Sequence, residues 1–117
     1  MGMAVPAGTP VLRRGDIWWV SLDPAQGSEI RKTRAGVVIT ADALNRARRT
    51  VVVVPLSTGP GPRPPIVVAV PSAGQNAVAI CDQLRAVDKR RLTRMLGRLS
   101  AGDLRAIEEG VRRILEL

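Results

Sequence analysis

A short polar segment of this chain holds residue types that can work on a phosphate. Gly27, Ser28, Glu29, Arg31, Lys32, Thr33 and Arg34 follow an Asp23-Pro24 stop and precede the apolar run Gly36–Thr40. A polar loop between two apolar strands is where a rigid scaffold presents working groups. A second pair of hydroxyls, Ser57 and Thr58, comes directly after Val51–Leu56. The chain has no histidine, and its carboxylates do not cluster, so general base catalysis near neutral pH has few candidates. The GPGP segment at 59–62 has neither the spacing nor the Lys-Ser/Thr of a phosphate-binding Walker loop. An enzyme built from these residues must work by positioning and charge. Cleavage of RNA by its own 2′-hydroxyl fits that description. The nucleophile arrives with the substrate, and the protein aligns it and stabilises the extra charge of the phosphorane. A guanidinium suits the second task, because its fork matches two phosphate oxygens and it stays charged. Arg34, heading the second apolar strand, is the best placed arginine. Ser57 or Thr58 would add an oriented hydroxyl. The plain alternatives are a surface ion pair for Arg34 and a strand-to-loop turn for Ser57 and Thr58.

The elements that must position these groups are readable by periodicity. Ile17–Leu22 alternates as a strand, with Ile17, Trp19 and Ser21 on one face and Trp18, Val20 and Leu22 on the other. The two tryptophans therefore point oppositely, one into a core and one left to cover an interface or a groove. Gly36–Thr40 reads as a strand buried on both faces. Ala41–Arg49 reads as a helical turn and a basic loop with Arg46, Arg48 and Arg49. Thr50–Leu56, four valines closed by Pro55, is the clearest strand; Thr58–Pro65 is a loop stiffened by four prolines. Ile66–Val70 and Ala77–Leu84 are further strands, and Lys89–Arg94 is helical by composition. Met95–Leu99 either pairs back as a last strand or runs on toward a terminal helix. Ser100 with Asp103 resembles a capping box, after which Leu104, Ile107, Val111, Ile114 and Leu115 share one helical face. Short strands, connections too short for parallel crossovers and one closing helix predict a β-rich α+β fold: a small antiparallel barrel packed by a C-terminal helix.

Bulk composition narrows the class. At 117 residues the expectation is a loose tail over 1–12 and one domain over 13–117. Apart from Trp18 and Trp19 there are no aromatics, so the core is aliphatic. Eighteen Lys and Arg against ten Asp and Glu give a net charge of +8, which favours a polyanionic partner, nucleic acid or an acidic protein. A lone cysteine, Cys81, excludes an internal disulfide and suits a reducing cytoplasm. Without a histidine to activate it, Cys81 reads as a small core residue. No metal-ligand cluster and no cofactor motif occur, and neither a membrane span nor a signal peptide is expected.

Taken together, the motifs resemble the MazF/PemK family of endoribonuclease toxins from bacterial toxin–antitoxin pairs. Arg14-Gly15-Asp16 opens the first strand, Leu22-Asp23-Pro24 ends it, Gly27-Ser28-Glu29 follows, and Arg34 heads the second strand. Val54-Pro55-Leu56-Ser57-Thr58 is similar to the family's Val-Pro-x-Thr-Thr segment. Asp82-Gln83-Leu84-Arg85 with Val87-Asp88-Lys89-Arg90-Arg91-Leu92 is similar to its Asp-Gln-x-Arg-x-Ile-Asp-Lys-x-Arg-Leu stretch, and the likeness runs from Arg14 to Leu117. The resemblance implies an SH3-like barrel, shared with gyrase-poisoning toxins, and a homodimer. It implies metal-independent cutting of single-stranded mRNA to 2′,3′-cyclic phosphate and 5′-hydroxyl ends, and a cognate antitoxin that blocks the groove with an acidic, hydrophobic tail. It makes Arg34 the catalytic arginine, Ser57 the counterpart of the catalytic threonine, and Glu29 the candidate base, if it is not merely paired with Arg31 or Lys32. Ser28, Arg31, Lys32, Thr33, Thr58, Arg46, Arg48, Arg49 and Gln83 are then expected to contact RNA. Two positions depart: Ala35-Gly36 stands where the family has proline after the arginine, and Ser57 where it has threonine. The alternatives are a toxin of this fold that binds DNA gyrase without cutting, and a non-catalytic RNA-binding barrel; the latter has only two aromatics for base stacking.

Overall fold

The computed structural model describes residues 11–22 and 33–117. Its strands are β1 (Asp16–Ser21), β2 (Thr33–Val38), β3 (Thr50–Ser57), β4 (Val67–Ala69), β5 (Val78–Ile80), β6 (Arg85–Asp88) and β7 (Leu92–Arg98). The helices are α1 (Asp42–Ala47) and α2 (Ala101–Leu115), with three 3₁₀ turns between them at Pro71–Ala73, Cys81–Gln83 and Lys89–Arg91. All pairings are antiparallel, in the order β4-β5-β3-β2-β1-β7, and β6 adds to the free edge of β3. The central strand is β3. One edge meets β2; the other meets β6 over Thr50–Val53 and β5 over Leu56–Ser57.

Alternation along the strands builds two cores. Trp18, Val20, Val38, Val51, Val53, Val87 and Leu92 form one cluster, drawn from β1, β2, β3, β6 and β7. Five strands sharing one aliphatic interior make a small barrel, open where no ladder joins β6 to β7. On the outer face Ile17, Val37, Val54, Leu56, Val68 and Ala79 pack with Leu99 and Ile107 of the helical end. The tryptophans divide as alternation requires: Trp18 is 8% exposed and Trp19 42%. Leu12, at the end of the expected tail, is buried in the barrel core; residues 1–10 of that tail lie outside the described residues. Ser100 caps α2 by accepting the Asp103 N–H at 3.1 Å. None of the helices among the described residues is long and apolar enough to cross a membrane.

Several boundaries differ from the sequence reading. β2 begins at Thr33 rather than Gly36, because Ser21 pairs with Thr33 and Val20 with Arg34; strand pairing tolerates polar residues at a strand end. Pro55 does not close β3 but lies inside it. The Val52 carbonyl and amide point toward β2, accepting the Ile39 N–H and donating to Thr40 Oγ1. By alternation Pro55 points its missing N–H the other way, where β3 passes from β6 to β5 and no ladder needs a donor. The expected strand Ala77–Leu84 breaks at Cys81–Gln83, and Arg85–Asp88 forms a separate strand on β3. Lys89–Arg94 is helical only over its first turn; Leu92 onward joins β1 as β7.

Gly110 explains a second point that propensity alone misjudges. In a helix interior glycine costs about 1 kcal/mol relative to alanine. Here a Cβ would lie 2.8 Å from the Pro65 carbonyl oxygen, 3.1 Å from Cys81 Sγ and 3.2 Å from Val68 Cγ2. The glycine lets α2 seat against the barrel. Burial also pushes the Cys81 thiol up to about 11, so it stays neutral and inert at physiological pH. Gly110→Ala should therefore destabilise, by roughly 1–3 kcal/mol net of the helix-propensity gain, measured as a lower urea midpoint at unchanged slope. A rise in midpoint would show that the helix is not held this closely.

Candidate active site

The register of β2 on β3 places the two sequence-selected groups. The ladder pairs Val38 with Val53, Val37 with Val54 and Gly36 with Pro55. The ladder ends there; two residues beyond it on each strand, the same register brings Arg34 level with Ser57. A Cβ at Gly36 would lie 3.3 Å from Val20 Cγ2 and 3.6 Å from the Val54 carbonyl oxygen. That tight packing fixes the strand that carries Arg34 onto β1 and β3.

Arg34 and Ser57 line one cleft of about 410 Å³. Its wall and floor include Thr33 and Ala35 of β2, Ile17 and Trp19 of β1, Leu56 of β3 and Thr58 beyond it, and Leu96, Gly97 and Arg98 of β7. Ser72, Ala73 and Ala77 complete the lining. Among the described residues the lining contains two arginines and four hydroxyls and no carboxylate. Such a surface attracts an anion without needing a metal. Ser57 Oγ accepts the Gly59 N–H at 3.4 Å, a long contact that matches the expected turn and leaves the hydroxyl hydrogen free to donate. Among the described residues no carboxylate pairs with Arg34, and none form a group of three or more metal-ligating side chains.

The remaining expected site residues divide. Thr33 and Thr58 join Arg34 and Ser57 in the cleft. Ser28, Glu29, Arg31 and Lys32 lie outside the described residues. Gln83 is exposed in the Cys81–Gln83 turn and does not line the cleft. Arg46, Arg48 and Arg49 are exposed around the start of β3, about 24 Å along the strand from Ser57 at an ordinary strand rise. They neighbour Lys89, whose N–H bonds the Arg49 carbonyl at 2.8 Å. These arginines form a separate basic corner, not part of the cleft. Conversely, Arg98 and Ser72 enter the cleft without having been singled out. Arg98 ends β7 opposite Asp16, a proximity visible only once β7 is paired with β1.

The family described as the PemK-like, MazF-like toxin of type II toxin–antitoxin systems matches residues 13–115. The chain belongs to this PemK/MazF toxin family. Endoribonuclease MazF9 of Mycobacterium tuberculosis is 33% identical over 116 residues, covering 92% of this chain and 98% of that protein. Endoribonuclease PemK of Escherichia coli is 39% identical over 83 residues, covering 68% of this chain and 62% of PemK. The MazF fold itself is matched by a MazE–MazF crystal structure from Deinococcus radiodurans, with a TM-score of 0.80 at 23% identity over 92% of this chain and 98% of that one.

Proposed function

We propose that this PemK/MazF toxin is a metal-independent endoribonuclease that cuts single-stranded mRNA. The observation that carries the reading is that Arg34 and Ser57 line one cleft, whose described lining residues include four hydroxyls and no carboxylate. Arg34 grips the non-bridging oxygens of the scissile phosphate, and Ser57 donates to the same group. The substrate's 2′-oxygen forms a bond to phosphorus as the bond to the 5′-oxygen breaks. The 2′-hydroxyl proton leaves to a base, and the 5′-oxygen takes up a proton, giving 2′,3′-cyclic phosphate and 5′-hydroxyl ends. A guanidinium offers donors and no acceptor, so Arg34 stabilises charge and is not the base. Glu29 is the carboxylate proposed for that proton, with Ser28, Arg31 and Lys32 of the same loop on RNA phosphates and Gln83 a further RNA contact outside the cleft. Arg46, Arg48 and Arg49 hold RNA only at a distance from the cut.

The chain acts in this reading as a homodimer in the cytoplasm, neutralised by a cognate antitoxin. Two features support the antitoxin: the family's place in type II toxin–antitoxin systems and a positive cleft suited to an acidic tail. Fold alone admits a gyrase-binding toxin; the retained Arg34 and Ser57 favour the nuclease.

Purified protein incubated with long single-stranded RNA in EDTA should yield discrete fragments whose new 5′-hydroxyls are labelled by polynucleotide kinase without prior phosphatase. Arg34→Ala should lower kcat by roughly 100-fold or more while keeping the fold, the usual cost of losing one charge-stabilising contact. Absence of cutting by folded wild-type protein would move the assignment to gyrase binding. For the basic corner, Arg48→Ala with Arg49→Ala should leave kcat within about twofold and weaken only salt-sensitive affinity for long RNA. A large kcat loss would place that corner in the active site instead.

A further inference from the structure

One wall of the cleft comes from a connection that has little of its own to hold it. Residues 70–77 join β4 to β5. The two ends, Val70 and Ala77, are buried, and the Val70 N–H donates to the Ala77 carbonyl at 3.0 Å. Between them residues 71–76 are exposed except for the half-buried Ala73. Ser72 and Ala73, from this tip, line the cleft together with Ala77. The position of the tip therefore sets the shape of that wall.

Ser72 ties the tip down. Within the connection the Ala73 N–H bonds the Val70 carbonyl and the Gly74 N–H bonds the Pro71 carbonyl, contacts that would travel with the tip. Among the described residues, every hydrogen bond from 71–76 to another element is made by Ser72. Its N–H donates to Asp103 Oδ2 at 2.7 Å, its hydroxyl donates to the same oxygen, and its Oγ accepts the Ser100 N–H at 3.0 Å. Bonds to an ionised acceptor are roughly twice as strong as neutral ones. Ala73 packs against the core, but a methyl group fixes no direction. The support is firm: Asp103 lies in the first turn of α2, capped by Ser100, and Ile107 of the same helix is buried in the core. With its hydroxyl engaged on both sides, Ser72 shapes the cleft rather than donating into it.

We propose that Asp103 is a positioning residue for the cleft: by gripping Ser72 it latches the wall made by Ser72 and Ala73 to the start of α2 and so sets the fit of the substrate strand. The inference rests on the RNA-cleaving reading above and adds to it what holds this wall. Asp103 does not itself line the cleft, so its effect passes through Ser72. Arg34 and Ser57 stand on β2 and β3, fixed by ladders that include none of residues 71–76. Loss of the latch therefore acts on how the substrate is held and spares the step at phosphorus.

The test uses full-length protein, cleavable single-stranded RNA for kinetics, and RNA whose 2′-hydroxyls are methylated, so that it cannot be cut, for affinity. Asp103→Ala should raise KM and weaken binding of the methylated RNA by about tenfold, with kcat within about threefold. Hydrogen exchange at residues 72–74 should quicken in the same variant. Asp103→Asn, whose amide oxygen still accepts from Ser72, should stay within about twofold of wild type. Ser100→Ala is the control for a purely structural role. It removes the α2 cap but keeps the Ser100 N–H and the Asp103 carboxylate on Ser72, so it should lower Tm and leave KM unchanged. Should melting curves show that Asp103→Ala does not fold, Ser72→Ala carries the test. It loses both hydroxyl bonds, keeps its N–H on Asp103, and should raise KM about threefold or more. Unchanged KM and affinity in Asp103→Ala, or in Ser72→Ala where that variant carries the test, would overturn the latch. So would an equal rise of KM in Ser100→Ala. Either result leaves wild-type cleavage, and hence the nuclease reading, intact. Wild-type protein that binds the methylated RNA with this dependence on Asp103 yet cuts no unmodified RNA would defeat the nuclease reading alone. Wild-type protein that neither binds nor cuts RNA would defeat both.

Discussion

The structure depends on the antiparallel register of β3 among its neighbours. One strand holds β2 along one edge and divides the other between β6 and β5. A shift of one residue would turn every side chain to the opposite face, carrying Val51 and Val53 out of the barrel and Val54 and Leu56 off the helix side. The same shift would take Ser57 away from Arg34. Pro55 and Gly36, paired across the ladder, both suit this register. The proline sits where no donor is required, and the glycine sits where a Cβ would crowd Val20 and the Val54 carbonyl. Stability and site geometry thus come from one constraint.

The site that results is electrostatic. It has no histidine to move protons at neutral pH, and the charged side chains among its described lining residues are both arginines. At about 4 Å, two unit charges interact by roughly 4 kcal/mol at an effective dielectric of 20, enough that a single well-placed guanidinium matters to a dianionic phosphorane. In the proposed reading the basic corner at Arg46, Arg48 and Arg49 contributes differently. It is exposed and distant, so ordinary salt screens it, and it can raise local RNA concentration without touching the reacting atoms.

Much of this was legible in the chain. The alternation of Ile17–Leu22 separated Trp18 from Trp19 correctly, because period two is a direct consequence of the pleat. The valine run marked β3, and Ser100 with Asp103 marked the start of α2. Illegible were features set by long-range pairing. Arg85–Asp88 has no apolar pattern of its own and becomes a strand because β3 has an open edge for it. Leu92–Arg94 looked helical by composition and is claimed by β1. Arg98 entered the cleft through Asp16, distant in sequence, while Arg46, Arg48 and Arg49, close to the motif in sequence, fell at the far end of β3.

The central claim is that Arg34 and Ser57 act on one phosphate as a unit. A double-mutant cycle on kcat/KM for RNA cleavage, with Arg34→Ala, Ser57→Ala and both together, tests it most directly. Groups acting as a unit are strongly non-additive, so the account predicts a double variant about as slow as the slower single one. Losses that simply multiply would mean that the two side chains act independently, and the register argument for the site would fail.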